Sequence, residues 1–174
     1  MSNYREIVTK TIVGKGRKKI TNNYSLKPEQ EPNTILGCWI INHKFTGTNK
    51  KNEILVNGTF DLNVWYSYDN DSKTSVSTQT FNYNELMKLK VKDIDSLNDN
   101  NEIIVRSLRQ PTVQDVKINN NQVDVKIENE LGVEIVGESK VKIAVEDDEL
   151  PWDDIYEDKN SPDTINEDYI NDNN

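Results

Sequence analysis

The chain has 174 residues, only 34% of which are hydrophobic, and a formal net charge of −9. The charge is concentrated at one end, because residues 146–174 hold twelve acids and one base, whereas residues 1–145 hold eighteen acids and twenty bases. No apolar run approaches the about 18 residues of a membrane-spanning helix, and a single cysteine excludes an internal disulfide or a metal site built on a cysteine pair. Isoleucine (17), valine (15) and threonine (12) are abundant while alanine occurs once, which favours an all-β body.

The first third of the chain predicts two strands. Residues 5–14 form the first and lead into a basic run, and residues 23–33 contain two prolines and are typical of a loop. Residues 34–45 are the densest apolar stretch, so they predict a buried strand. The first residues lack a hydrophobic signal region, from which we expect a protein made and kept in the cytosol.

A hairpin and one short helix are predicted in the middle of the chain. Asn57-Gly58 is a strong signal for a tight turn, because both residues tolerate a positive φ. Apolar residues then alternate over 60–68, which indicates a half-buried strand. Residues 69–71 predict a turn, residues 72–81 a returning strand, and residues 83–91 a helical turn.

The remaining body predicts a β-meander. Residues 93–101 are a polar loop, and residues 102–109 a strand that ends at Pro111. Later strands are separated by turns at 119–121 and 137–139. Seven or more short strands predict a single antiparallel β-sandwich or barrel-like domain over residues 1–145. Residues 146–174 lose the alternation and predict a disordered acidic tail with a tryptophan-centred motif.

The sequence offers little for catalysis, cofactor binding or metal binding. Its one cysteine, Cys38, and its one histidine, His43, lie five residues apart, so on a regular strand they point to opposite faces. Asp93 and Asp95 begin a faint calcium-loop pattern that lacks the glycine of an EF-hand, and an ordinary polar loop is favoured. We therefore expect no enzyme, no cofactor and no metal site.

Three sets of residues are candidate binding surfaces. The first is a basic patch that suits an acidic protein surface better than nucleic acid, because the acidic tail would repel a polyanion; it comprises Lys15, Arg17, Lys18 and Lys19. The second is Trp65: if it lies opposite the apolar face of its strand, it is an exposed aromatic that marks a contact surface, and the alternative is that another strand covers it. The third is the apolar island of the tail, a candidate partner-binding motif made of Leu150, Trp152, Ile155 and Tyr156. Contact between the tail and the basic patch, within or between copies, is a further option.

Several stretches resemble one known family. They are SNYREIVTK at 2–10, GRK at 16–18, ILGCWIINHK at 35–44, DLNVWYSY at 61–68 and VGESKV at 136–141. Together they are similar to the spore outer-coat morphogenetic protein CotE of endospore-forming Firmicutes, over about residues 1–146 and followed by an acidic tail with an embedded tryptophan.

The resemblance implies a non-enzymatic scaffold made in the mother-cell cytoplasm and then placed in the outer spore coat. It implies self-association, a contact with the basement-layer coat morphogenetic ATPase, and recruitment of outer-coat client proteins. No nucleic-acid partner and no direct membrane insertion are expected. The alternative from the residues is a carbohydrate- or small-ligand-binding β module, which exposed Trp65 and Tyr66 on one sheet would favour; an enzyme dependent on His43 is a third.

Overall fold

The structure is a computed structural model that describes residues 3–50, 53–92 and 97–145 of the chain. These residues form strands β1 (Asn3–Leu26), β2 (Thr34–Lys50), β3 (Glu53–Tyr68), β4 (Lys73–Lys88), β5 (Lys90–Val91), β6 (Glu102–Asn119) and β7 (Gln122–Val145). Over these three ranges there is no helix of the length and apolar character needed to cross a membrane.

The strands form two antiparallel sheets that pack face to face. The four-stranded sheet has the order β5-β1-β7-β6, and the three-stranded sheet has the order β2-β3-β4. The rings of Tyr24 in β1 and Phe60 in β3 lie 5.0 Å apart, edge to face, so the two inner surfaces share one core. The fold is a β-sandwich, as the sequence predicts.

The two central strands supply most of the core. Alternate residues of β3 and β7 point between the sheets, and the period of two predicted for 60–66 and 123–127 is confirmed. The inward residues of these strands are at most 3% exposed: Ile54, Val56, Phe60, Leu62, Val64, Tyr66, Val123, Val125, Ile127, Leu131, Val133 and Ile135.

The strand predicted as buried, residues 34–45, is instead part of an edge strand. β2 lies at the end of the three-stranded sheet, and every one of its side chains is at least partly exposed. The strand is rich in apolar residues because both of its faces are partly covered. The residues Ile35, Cys38 and Ile40 face the core. Trp39 and Ile41 face outward.

The hairpin predicted at Asn57-Gly58 is wrong, because both residues lie within β3. Gly58 pairs with Phe45 on one side and Tyr83 on the other. A Cβ atom at Gly58 would overlap the ring of Tyr83, so the glycine makes room for an aromatic side chain rather than for a turn.

Two further local predictions are wrong because hydrogen-bonded pairing with neighbouring strands overrides the local sequence preference. Residues 83–88 belong to β4 and residues 90–91 to β5 rather than to a helical turn, and Tyr83 and Met87 point into the core. Residues 137–139 continue β7 opposite β1, so they form no turn. The strands are consequently longer than the short ones predicted, and β1 and β7 each reach 24 residues.

The Asn/Asp-rich turns are predicted correctly. Asp69, Asn70, Asp71 and Asn120 adopt φ values of 53–63°, the left-handed region that Asn and Asp tolerate best. β6 runs on through Pro111, where the sequence predicts an end, because Pro111 lies on an edge strand within a register shift. Of the predicted 93–101 loop, residues 93–96, with Asp93 and Asp95, lie outside the described residues.

Candidate assembly surfaces

A two-stranded arm extends beyond the sandwich. We define the arm as residues 3–10 of β1 paired with residues 138–145 of β7, in the register Asn3↔Val145 to Lys10↔Glu138. β5 pairs with β1 only at Gly14 and Lys15, and β6 leaves β7 at Val136. Among the described strands, residues 4–10 and 138–144 of the arm therefore have no strand beside them on the outer side, over about 23 Å at about 3.3 Å per residue.

The arm exposes apolar side chains on both of its faces. Tyr4 is 66% exposed and Val8 65%, and the opposite face presents Ile7 and Ile143. An isolated two-stranded ribbon is marginally stable in water, and open edges with apolar side chains attract further strands. This combination makes the arm a candidate contact surface, which the composition of residues 3–10 alone does not reveal.

The outer face of the four-stranded sheet carries three columns of charge, which we call the charge ladder. A central acidic column on β7 lies between basic columns on β1 and β6. The cross-strand ion pairs are Lys15–Glu134 (3.6 Å), Arg17–Glu130 (2.6 Å), Lys19–Glu128 (3.2 Å), Arg106–Glu134 (3.5 Å) and Arg109–Glu128 (3.1 Å). The cationic side chains are 57–75% exposed and the carboxylates only 14–19% exposed. A molecule that binds this face would therefore contact mainly the cations.

The four residues of the predicted basic patch do not share one face. Lys15, Arg17 and Lys19 lie on the outer face within the charge ladder, whereas Lys18 points the other way and pairs with Glu85 of β4 at 2.8 Å. Strand alternation separates them. The cations that complete the outer surface, Arg106 and Arg109, come from β6, a distant segment that a search for basic runs misses.

The outer face of the three-stranded sheet carries exposed aromatic and aliphatic side chains. Trp65 is 43% exposed and Trp39 is 42% exposed, and both approach Gly37, whose added Cβ would lie 3.5 Å from Trp39 and 3.6 Å from Trp65. Ile41 and Val76 extend this surface, which we call the aromatic face. Tyr66 does not belong to it, because Tyr66 is buried in the core and donates a 2.7 Å hydrogen bond to Gln30.

Cys38 and His43 do not lie on opposite faces as the regular spacing predicts. A register shift between Ile41 and Lys44, with Asn42 at a φ of 54°, inserts an extra residue and turns His43 toward the same inner side as Cys38. Burial raises the pKa of the Cys38 thiol to about 11, so the thiolate needed for nucleophilic chemistry is scarce near neutral pH.

His43 belongs to a half-buried aromatic cluster at the edge of the core. Its Nε2 lies 2.6 Å from Oη of Tyr83, and its ring centroid lies 5.0 Å from that of Phe45. Burial lowers the pKa of His43, an effect that a hydrogen bond with Gln110 partly opposes. Burial also raises the pKa of Tyr83 to about 12, so both groups are neutral near pH 7.

The neutral state of His43 makes stability depend on pH. Below the ordinary histidine pKa of about 6.5, His43 is protonated in the unfolded chain but stays neutral in the folded chain, where its pKa is lower. Acidification therefore favours unfolding. We expect the free energy of unfolding in urea to fall between pH 7.5 and pH 5.5, a window above the ordinary carboxylate pKa values. His43→Gln should flatten this dependence; an equal fall in both proteins would contradict the assignment.

The remaining predicted residues lie outside the described part of the chain. Leu150, Trp152, Ile155 and Tyr156 fall in residues 146–174, which the structure does not describe. Over the described residues there is no cluster of three or more His, Cys, Asp or Glu side chains suited to a metal ion.

The fold and these surfaces define a two-sheet β-sandwich protein with a two-stranded arm and an exposed aromatic face. The chain belongs to the outer spore coat protein E (CotE) family, whose family model matches residues 3–173, and it is therefore a protein of the outer spore coat. No curated protein and no solved structure is significantly similar to the chain.

Proposed function

We propose that this outer spore coat protein is a non-enzymatic scaffold that self-associates through the arm and recruits other coat proteins. The observation that carries the proposal is the arm itself, a ribbon whose edges at residues 4–10 and 138–144 meet no other described strand and whose two faces expose apolar side chains. Membership of a coat-protein family supplies the setting in which many copies lie close together.

Backbone pairing between arms explains how self-association would extend. Each arm offers a β1 edge, at residues 4–10, and a β7 edge, at residues 138–144. Addition of a strand from another copy satisfies backbone N–H and C=O groups and buries Val8 or Ile143. Because an arm has two edges, each copy can contact two others, and a pairing that does not close by symmetry produces an extended layer or filament.

The test of self-association is light scattering coupled to size-exclusion chromatography on the full chain. We expect species larger than one copy at concentrations of tens of micromolar, because a protein contact of modest strength has a dissociation constant of about 1 μM to 1 mM. A strictly monomeric chain across that range contradicts the proposal.

We further propose that the tail recruits client proteins of the outer coat. Trp152 and Tyr156 are large apolar anchors among acids that steer the segment toward basic surfaces. We expect Trp152→Ala to reduce capture of solubilised coat proteins by at least tenfold, the cost of losing one aromatic anchor. Trp39→Ala in the body serves as the matched control, and equal capture by the two variants excludes the tail as the recruiting element.

The contact with a basement-layer morphogenetic ATPase and the route through the mother-cell cytoplasm belong to the same proposal. They are supported by family membership. A fluorescent fusion in sporulating cells should form a shell around the forespore, and this shell should be lost when the basement layer is absent. A diffuse signal throughout the mother cell contradicts this part of the proposal.

The aromatic face supports a second candidate function, glycan binding. Asn63, opposite Trp39 and two residues before Trp65, is itself buried but accepts a 2.6 Å hydrogen bond from the exposed Thr78. Exposed aromatic and polar groups are therefore adjacent, as sugar recognition requires. A glycan array probed with the native chain and with Trp65→Ala separates the two functions. Binding lost in the variant supports glycan recognition, and no binding by the native chain excludes it.

A further inference from the structure

A basic groove crosses the outer face of the four-stranded sheet and is lined in part by residues of the charge ladder. Its volume is about 690 Å³, within the range of pockets that hold ligands. Its charged lining consists of Lys15, Arg17, Lys88, Lys90 and Arg106 with the single carboxylate Glu134. This excess of cations favours an anionic occupant.

The groove also has an apolar floor. Leu108 packs over Gly132, since a Cβ at Gly132 would lie 3.0 Å from the Leu108 side chain, and Leu89 contacts the backbone region of Gly16. Leu108 remains 52% exposed. Leu89 is already partly covered by the core, but an occupant that is only an anion would leave Leu108 in water. The groove therefore suits a segment that combines acids with large apolar side chains.

The chain itself contains such a segment. Residues 146–158 hold eight acids that surround the apolar island at Leu150, Trp152, Ile155 and Tyr156. The acids match the cations of the groove, and the indole of Trp152 matches the leucine floor.

The length of the chain indicates that the groove is filled from another copy. Gly132 lies 13 residues before Val145 on β7, which is about 43 Å along an extended strand at about 3.3 Å per residue. Trp152 follows Val145 by seven residues, a reach of at most about 25 Å. Trp152 therefore falls short of the groove of its own chain while β7 stays extended.

We infer that the basic groove binds residues 146–158 of a neighbouring copy, with Trp152 against Leu108 and Leu89 and the acids against the cations. The inference rests on the proposed function, because it requires copies to lie side by side. It deepens that function by adding a second contact between copies, distinct from the arm.

A peptide-binding measurement tests the groove independently of self-association. The host is the full chain carrying Trp152→Ala, whose own tail lacks the anchor, and the probe is a fluorescein-labelled peptide of residues 146–158. We expect saturable binding in fluorescence anisotropy, weakened at least tenfold when Leu108→Asp is added to the host. Leu86→Asp, a matched control at another exposed strand leucine, should leave binding unchanged. Equal affinity for the two hosts, or for a peptide with a scrambled sequence, overturns the inference.

A mixing experiment tests whether the contact joins two copies. Both partners carry substitutions that disable the arm, Val8→Lys and Ile143→Lys, so that association reports only the groove. A chain with an intact groove but Trp152→Ala is mixed with a chain with an intact tail but Leu108→Asp. Sedimentation should show association in the mixture and in neither chain alone. No association in the mixture overturns the assignment to a neighbouring copy. A Val8→Lys/Ile143→Lys chain with intact tail and groove that associates as strongly as the native chain would reject only the arm.

Discussion

The variant Val8→Lys/Ile143→Lys is expected to stay folded and to self-associate at least tenfold more weakly than the native chain. Both residues lie on the arm, one on each strand, and both are exposed, so neither substitution disturbs the core. Lysine on an exposed edge strand is a known barrier to strand addition, because a paired copy would have to desolvate the charge and place it near like charges. Sedimentation equilibrium on both proteins measures the change.

A matched control is available on another edge strand. Val76 and Leu86 are exposed on β4, so Val76→Lys/Leu86→Lys adds the same charge to a strand outside the arm. This control should associate like the native chain. Weaker association in the β4 variant than in the arm variant would place the interface on the three-stranded sheet and would reject the arm.

Gly58→Ala is expected to lower the free energy of unfolding by about 3 kcal/mol, the upper part of the range for overpacked cores. The added methyl group would overlap the ring of Tyr83. That ring cannot move away at low cost, because its hydroxyl is hydrogen bonded to His43 and its centroid lies 6.3 Å from that of Phe60. Urea denaturation of the native and variant chains measures the loss.

Gly37→Ala is the control for the effect of removing a glycine from a strand. A Cβ at Gly37 would meet Trp39 and Trp65 at ordinary contact distances, so its stability should change little. The double variant Gly58→Ala/Tyr83→Leu should lose less stability than the sum of its single variants, since leucine leaves the space that the methyl group needs. Equal stability of Gly58→Ala and Gly37→Ala would show that the Tyr83 ring adapts freely.

Features set by neighbouring residues were predictable. The alternation of 60–66 follows from the opposite directions of successive side chains in a strand. The turns at 69–71 and near Asn120 follow from the tolerance of Asn and Asp for positive φ, which is a property of the single residue. Trp65 was placed on the outer side of its strand by the same period of two.

Features set by distant partners were not predictable. Asn57-Gly58 has the sequence of a tight turn, but the ring of Tyr83, 25 residues later, occupies the space that Gly58 leaves. Residues 83–91 have no strong local preference, and their pairing with β3 and β1 decides that they are strands. His43 points to the same side of β2 as Cys38 because the bulge at Asn42 inserts one residue between them and so reverses the alternation of side chains along the strand.

The candidate surfaces show the same division. The sequence contains the basic run at residues 15–19, but only the register with β7 places Glu128, Glu130 and Glu134 beside it. Likewise, only the position of β4 gives Lys18 its partner Glu85. The arm cannot be recognised from residues 3–10, because its exposure results from where β5 and β6 stop pairing.

The sequence by itself determined the all-β class, the separation of charge between body and tail, and the resemblance to the coat family, because composition, charge and local motifs need no knowledge of distant contacts. The tertiary structure decided which strand edges and which faces remain uncovered. Exposure of an edge depends on the lengths and register of its neighbours, and those are set by the packing of two sheets around one core.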